Sequence, residues 1–272
     1  MARARKIFIF LLSIVIILPS ITFAEDEMVS NEATNNIISE VNFGEFCLPV
    51  EKMAVELGSP GKWFTPGRDQ DLKYIVIHST ESPYEEGYAD KVADWLSRTE
   101  YKASTHFIVG PDKILQTVDL YDTAWGVGSE ANSYSIQIEV LGYAKYNRDE
   151  WLTPIGTAML CKVSYLIAIL AKQYNIPIRK IESEGIIDNL PGVAGHYVFS
   201  ETLGGSDHWD PGHDFPWDVV LAQASMYFDD VYYKLSEDAI KPDVPIGFVN
   251  NEFLDYNYTG SLPEIPIFDP IN

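Results

Sequence analysis

Apolar positions gather into short, separate runs between Lys73 and Leu235, and the spacing within each run predicts its element. "KYIVIHST" (Lys73–Thr80) is a compact β-branched run of the kind that forms a buried strand. Ala89, Val92, Ala93 and Leu96 follow at helical spacing and predict an amphipathic helix. "ASTHFIVG" and "KILQTVDL" predict two strands joined across the turn "GPDK". "YSIQIEVLG" alternates, with Ile136, Ile138 and Val140 on one face and Ser135, Gln137 and Glu139 on the other. In "LTPIGTAMLCKVSYLIAILAKQYN" Thr153 is the expected N-cap and Pro154 the first helical residue. That segment is apolar nearly all round, as a core helix is, and Lys162 interrupts it too early for a membrane span. "GVAGHYVFS" reads as a further short strand, and "PWDVVLAQASMYFDDVYYKL" as a last helix from Pro216. Strands alternating with helices predict one α/β domain with a central mixed sheet flanked by helices.

Outside this stretch the pattern changes. A basic start (Arg3, Arg5, Lys6), the apolar run Ile7–Leu18 and small residues ending at Ala24 read as a secretory signal peptide, residues 1–24. An uncleaved membrane anchor is the alternative, although the apolar run is short for a span. Residues 25–45 are acidic and polar and read as a flexible leader. A single folded domain is expected over 46–235, opening on a structured loop rich in Gly, Pro and aromatics to Arg68. Residues 236–272, rich in Pro, Asn and acidic side chains, read as an extended tail.

The formal charge of -21 falls by three, to -24, when residues 1–24 are removed. Such a chain offers no basic patch for nucleic acid or an anionic membrane surface, and it suits a protein secreted to the periplasm or cell wall. Cys47 and Cys161 are the two cysteines. Export permits a disulfide between them, while the apolar helical run around Cys161 suits a buried free thiol equally.

The candidate chemistry lies with five histidines and the segment "GSDHWDPGHDFPWD", Gly205–Asp218. His78 ends an apolar strand, where side chains reach the rim of a sheet. His196 stands at another apparent strand edge, and Asp210 follows in a turn made by Pro211 and Gly212. Two imidazoles and one carboxylate suit a catalytic zinc with an open fourth position. The same residues also suit two separately hydrogen-bonded histidines and a turn-forming aspartate.

Five segments occur in order: "YIVIHST", "ASTHFIVGPDKILQTVDLYDTAWGVG", "NSYSIQIEVLG", "GVAGHYVFS" and "HWDPGHDFPW". Together, over about Lys73 to Trp217, they resemble the zinc-dependent N-acetylmuramoyl-L-alanine amidases of the type 2 amidase and peptidoglycan-recognition-protein superfamily. The resemblance implies zinc ligands at His78, His196 and Asp210, and a catalytic base at Glu139. It implies hydrolysis of the bond between N-acetylmuramic acid and L-alanine in peptidoglycan or muropeptides, with a zinc-activated water as nucleophile. Where the family often has Lys or Arg to polarise the carbonyl, this chain has His208, which would make that role pH-dependent. Many relatives carry His after the Trp of "AWGVG", and this chain has Gly126. His106 matches a family histidine that is not a zinc ligand and is expected in or beside the cleft. Asp207, His213, Asp214 and Asp218 are expected in loop solvation and capping, and Trp125 and Trp209 in cleft loops. The departures at His208 and Gly126 keep a non-catalytic peptidoglycan-binding protein on the same fold as the alternative, with a zinc hydrolase of another amide as a third reading.

Overall fold

The computed structural model describes Cys47 and residues 53–237, apart from Ser129 and Gly205. The expected signal peptide, the acidic leader and the tail beyond residue 237 lie outside the described residues. Among the described residues eight strands are present: β1 (Val55–Leu57), β2 (Phe64–Thr65), β3 (Tyr74–Ser79), β4 (Phe107–Val109), β5 (Ile114–Gln116), β6 (Thr123–Ala124), β7 (Ser135–Val140) and β8 (Gly192–Gly195). Six form a central mixed sheet in the order β1-β5-β4-β7-β3-β8, and β2 pairs with β6 in a separate ribbon. Only the hairpin β4–β5 is antiparallel in the central sheet; the other neighbours run parallel. The hairpin turns where expected, with Gly110 N donating to Lys113 O at 2.9 Å.

Among the described residues there are six α-helices: α1 (Tyr88–Arg98), α2 (Arg148–Trp151), α3 (Pro154–Tyr174), α4 (Ser183–Ile187), α5 (His196–Leu203) and α6 (Trp217–Glu237). Helix α3 starts as its sequence predicts, with Pro154 in the first turn and the Thr153 side chain accepting from Gly156 N. Its long apolar stretch is buried between the sheet and α6, so a helix long and apolar enough to cross a membrane serves here as the core. Lys162 is accommodated within it because its Nζ donates to Pro111 O at 2.7 Å. Helix α1 buries Ala89, Ala93 and Leu96 toward β4 and β5.

Three expectations change. The loop expected from Phe46 to Arg68 contributes strand β1 to the sheet edge and strand β2 to the ribbon. "GVAGHYVFS" is a strand only to Gly195; His196 opens helix α5, because β8 ends where its ladder with β3 ends, at Ile77–Gly195. Helix α6 continues through Ser236 and Glu237, two residues into the segment expected to be extended. Cys47 and Cys161 form a disulfide, which decides between the two readings of these residues.

Candidate metal and catalytic site

The register of the parallel strands builds the site. His78 of β3 pairs with Glu139 of β7, and Ile77 pairs with Gly195 of β8, so the next residue, His196, falls beside His78. All three lie at the carboxyl ends of parallel strands, where open α/β sheets place their ligands. Asp210 arrives from the loop between α5 and α6. Its carbonyl accepts from Tyr197 N at 3.1 Å, which ties the loop to the first turn of α5.

One metal-binding atom each from His78, His196 and Asp210 lies within 4.8 Å of the others, and all three residues are buried. His78 Nδ1 is 3.1 Å from Asp210 Oδ2, and the two imidazole rings meet edge to face at 4.6 Å. His196 Nδ1 lies 3.2 Å from Asp210 Oδ1 but outside hydrogen-bonding geometry, and it is buried without a hydrogen-bond partner among the described residues. A buried nitrogen aimed at a carboxylate-lined point and left unpaired is what a coordinated cation would satisfy. The donor set therefore fits a metal ion.

Charge is concentrated here. Burial opposes ionisation of Asp210, yet the surrounding His196, His208 and His78 hold its carboxyl far below the usual range. Burial works against a charged His78, but Asp210 and Glu139 outweigh it and raise its pKa. Burial lowers the pKa of His196. Glu139 is pushed up to about 7, chiefly by burial, with His78 acting in the opposite sense. Its Oε2 is buried and accepts no hydrogen bond from the described residues.

His208 stacks on His196 with ring centroids 4.7 Å apart, and its Nδ1 lies 3.4 Å from Asp210 Oδ1. It is about half exposed, and its contact with Asp210 raises its pKa. These five residues line one cleft of about 1240 Å³, together with Trp125, Trp209, Trp95 and Tyr101. Trp125 stacks on Trp63 at 6.1 Å and donates its indole N–H to Thr65 Oγ1, which fixes that wall.

The remaining candidates lie apart from this centre. His106 is fully buried behind it, with Nδ1 accepting from Gln137 N at 2.9 Å and Nε2 2.6 Å from Arg68 Nη2. Burial and the Arg68 charge lower its pKa to about 3, so it is neutral. His213 packs edge to face on Tyr197. Asp207 and Asp214 are exposed. Asp218 forms a bidentate pair with Arg148, at 2.7 and 2.8 Å, tying α6 to α2.

The alternation of β7 points Gln137 and Ser135 away from Ile136 and Ile138, but these two are as buried as the isoleucines, and of that polar face Glu139 alone is partly exposed. Gln137, Arg68 and Glu81 are the site-building residues that the pattern alone did not single out. Arg68 donates to the carbonyls of Leu120 and Ser133, and Glu81 Oε1 accepts from Ser79 Oγ and Ala144 N.

A mixed sheet that gathers two imidazoles and a carboxylate at its strand ends, beside a buried glutamate, has the build of a hydrolase cleft with a donor set that fits a metal ion. Residues 68–213, more than half of the chain, match the N-acetylmuramoyl-L-alanine amidase family, and the chain belongs to that family. It is 27% identical over 164 residues to the endolysin of Listeria phage A511, spanning 58% of this chain and 44% of the endolysin. It is 28% identical over 137 residues to protein Ami of Listeria monocytogenes serotype 1/2a, spanning 50% of this chain and 14% of Ami. The chain thus spans less than half the length of either relative. Among solved structures, the Staphylococcus aureus hydrolase AmiA, in complex with its ligand, shares the fold with a TM-score of 0.53 at 19% identity. That alignment covers 78% of this chain and 95% of AmiA.

Proposed function

We propose that this chain is an exported zinc amidase that hydrolyses the amide bond between N-acetylmuramic acid and L-alanine in peptidoglycan. The observation that carries the reading is the convergence of His78, His196 and Asp210 on one point of the cleft, beside Glu139. The family description supplies the bond, and the phage endolysin is a relative consistent with a cell-wall substrate. The disulfide supports an oxidising compartment, as does the expected signal peptide.

His78 and His196 would hold zinc through Nδ1 and Asp210 through its carboxylate, a set of three protein ligands of the kind that catalytic zinc sites use. When bound, zinc polarises the scissile carbonyl and brings the pKa of the attacking water toward about 7. Glu139 takes a proton from that water and delivers it to the departing alanine nitrogen as the C–N bond breaks. Burial pushes this carboxyl up to about 7 without metal and a bound dication would lower it from there, so the carboxylate form that accepts the proton is present at neutral pH. His208, on the rim of the cleft, donates a hydrogen bond to the developing oxyanion. Trp125 and Trp209 form walls on which sugar or peptide can lie. The products are a muramyl carboxylate and a free L-alanine amino end.

The test is digestion of purified peptidoglycan by the chain lacking residues 1–24, with and without chelator, and mass spectrometry of the products. New L-alanine amino ends without new reducing sugars, lost on chelation and restored by zinc, are expected. Binding without product, unchanged by chelator or by Asp210→Ala, would replace this reading with the non-catalytic peptidoglycan-binding one.

A further inference from the structure

Behind His78 the protein holds a chain of hydrogen bonds whose proton directions are fixed from its far end. Ser135 Oγ donates to Ala131 O at 2.5 Å, so its one proton is committed. The group that approaches Ser135 Oγ at 2.6 Å must therefore be a donor, and it is Gln137 Nε2. This turns the amide so that Oε1 faces His78 Nε2, at 2.8 Å. An oxygen there accepts, so Nε2 carries the proton, and a neutral His78 presents its lone pair at Nδ1, the atom facing Asp210. The Gln137 backbone cannot shift to relax this arrangement. Its N–H donates to His106 Nδ1, and its carbonyl accepts from His106 N and Thr105 Oγ1. Gln137 is fully buried, so water does not compete for the amide.

Space for the amide comes from Gly126. A Cβ at that position would stand 2.9 Å from Gln137 Oε1, 3.0 Å from its Cγ and 3.1 Å from its Cδ. The absence of a side chain at 126 and the presence of a long amide at 137 are thus two halves of one feature. By contrast the outer nitrogen of His196 has only a long contact, 3.5 Å to Ser206 Oγ.

The geometry points to Gln137 as a positioning residue that sets the tautomer and ring orientation of His78 for metal binding, with Gly126 as the residue that makes room for it. The inference rests on the reading of His78 as a metal ligand. Outer-shell partners of ligating histidines are typically worth 10–100-fold in metal affinity.

The experiment is zinc affinity measured by competition with a chromophoric chelator, alongside thermal melting of each protein. Gln137→Met keeps the side-chain length but offers no comparable acceptor; Gln137→Glu keeps the acceptor but buries a charge. We expect Gln137→Met to bind zinc 10–100-fold more weakly and Gln137→Glu to bind within a few-fold of the unsubstituted chain. Melting temperatures should fall in the opposite order, with Gln137→Glu the less stable, so a packing role alone cannot produce both results. Gly126→Ala, which crowds the amide, should weaken zinc binding in the otherwise unsubstituted chain and have no further effect in a Gln137→Ala background. Zinc affinity in Gln137→Met and Gly126→Ala equal to that of the unsubstituted chain would overturn the inference and leave the metal reading standing. Failure of the unsubstituted chain to bind one zinc that His78→Ala removes would overturn both.

Discussion

Glu139 carries a cost that its proposed role explains. A carboxyl whose pKa rises from 4.5 to about 7 on folding binds its proton more tightly in the native state. Native stability from this group is therefore complete below about pH 4.5 and is lost as the pH rises through about 7. Glu139→Gln should remove that loss, so metal-free Glu139→Gln should be more stable than the unsubstituted chain at pH 8, by an amount that shrinks toward zero at pH 4. Urea unfolding at the two pH values measures it, and equal stabilities at pH 8 would contradict the burial argument. Catalysis should move the other way. The basic form is needed, so kcat/KM should rise with pH along a limb no higher than about 7, since a bound dication lowers the carboxyl pKa further. Glu139→Gln should reduce kcat by roughly 10²–10⁴-fold with zinc affinity maintained. His208 offers a second residue-scale test. Its half-exposed ring stacks on His196, so removal should leave the fold intact. Loss of one oxyanion donor predicts a fall of roughly 10²–10³ in kcat for His208→Ala, and His208→Lys should recover most of it. Equal rates for His208→Ala and the unsubstituted enzyme on peptidoglycan would remove His208 from the mechanism.

At the scale of elements, the site depends on two things: the register of three parallel strands and one tight turn. A slip of one residue in β3 would turn His78 to the opposite face, so the buried isoleucines on that face also protect the chemistry. The turn depends on Gly212, which has φ +94° and would place a Cβ 1.9 Å from Ala144 O. Gly87 also has positive φ, +71°, but open space around it. Gly87→Ala should therefore cost only backbone strain, about 1–3 kcal/mol, without altering zinc affinity. Gly212→Ala should cost more and should also weaken zinc binding, because the turn must move and Asp210 lies two residues away. Chelator competition and urea unfolding on both variants separate the two effects. The strands β3 and β7, the hairpin and helices α1, α3 and α6 were legible because each buries a face with its own period. Strands β1 and β2 were not, since three- and two-residue strands carry too few positions for a period, and both leave exposed side chains. The five site candidates came from the ordered segments and the family resemblance those segments carry, and the structure brings them to one cleft. Gln137 was not, because alternation tells which face a residue takes and not whether that face is covered.

The whole molecule is closed by the bond between Cys47 and Cys161, 114 residues apart in sequence. It joins the beginning of the described chain to the middle of the core helix α3, where Cys161 is fully buried. Neither cysteine lines the cleft. A cross-link of this span restricts the unfolded chain strongly, and loop-closure entropy puts its contribution at about 4–5 kcal/mol. In a domain of this size that corresponds to a fall in Tm of roughly 10 °C. The Cys47→Ser/Cys161→Ser pair should show that fall by calorimetry under oxidising conditions, and the unsubstituted chain should show it only after reduction. Because the disulfide lies away from the cleft, kcat at temperatures below the lowered transition should stay within a few-fold of the unsubstituted value. A Tm change of only a degree or two would mean that the bond does not constrain the sheet. A loss of kcat in a fully folded variant would mean that the position of α3 reaches β3 and β4, which it packs against, and through them the ends of the strands that hold His78 and Glu139.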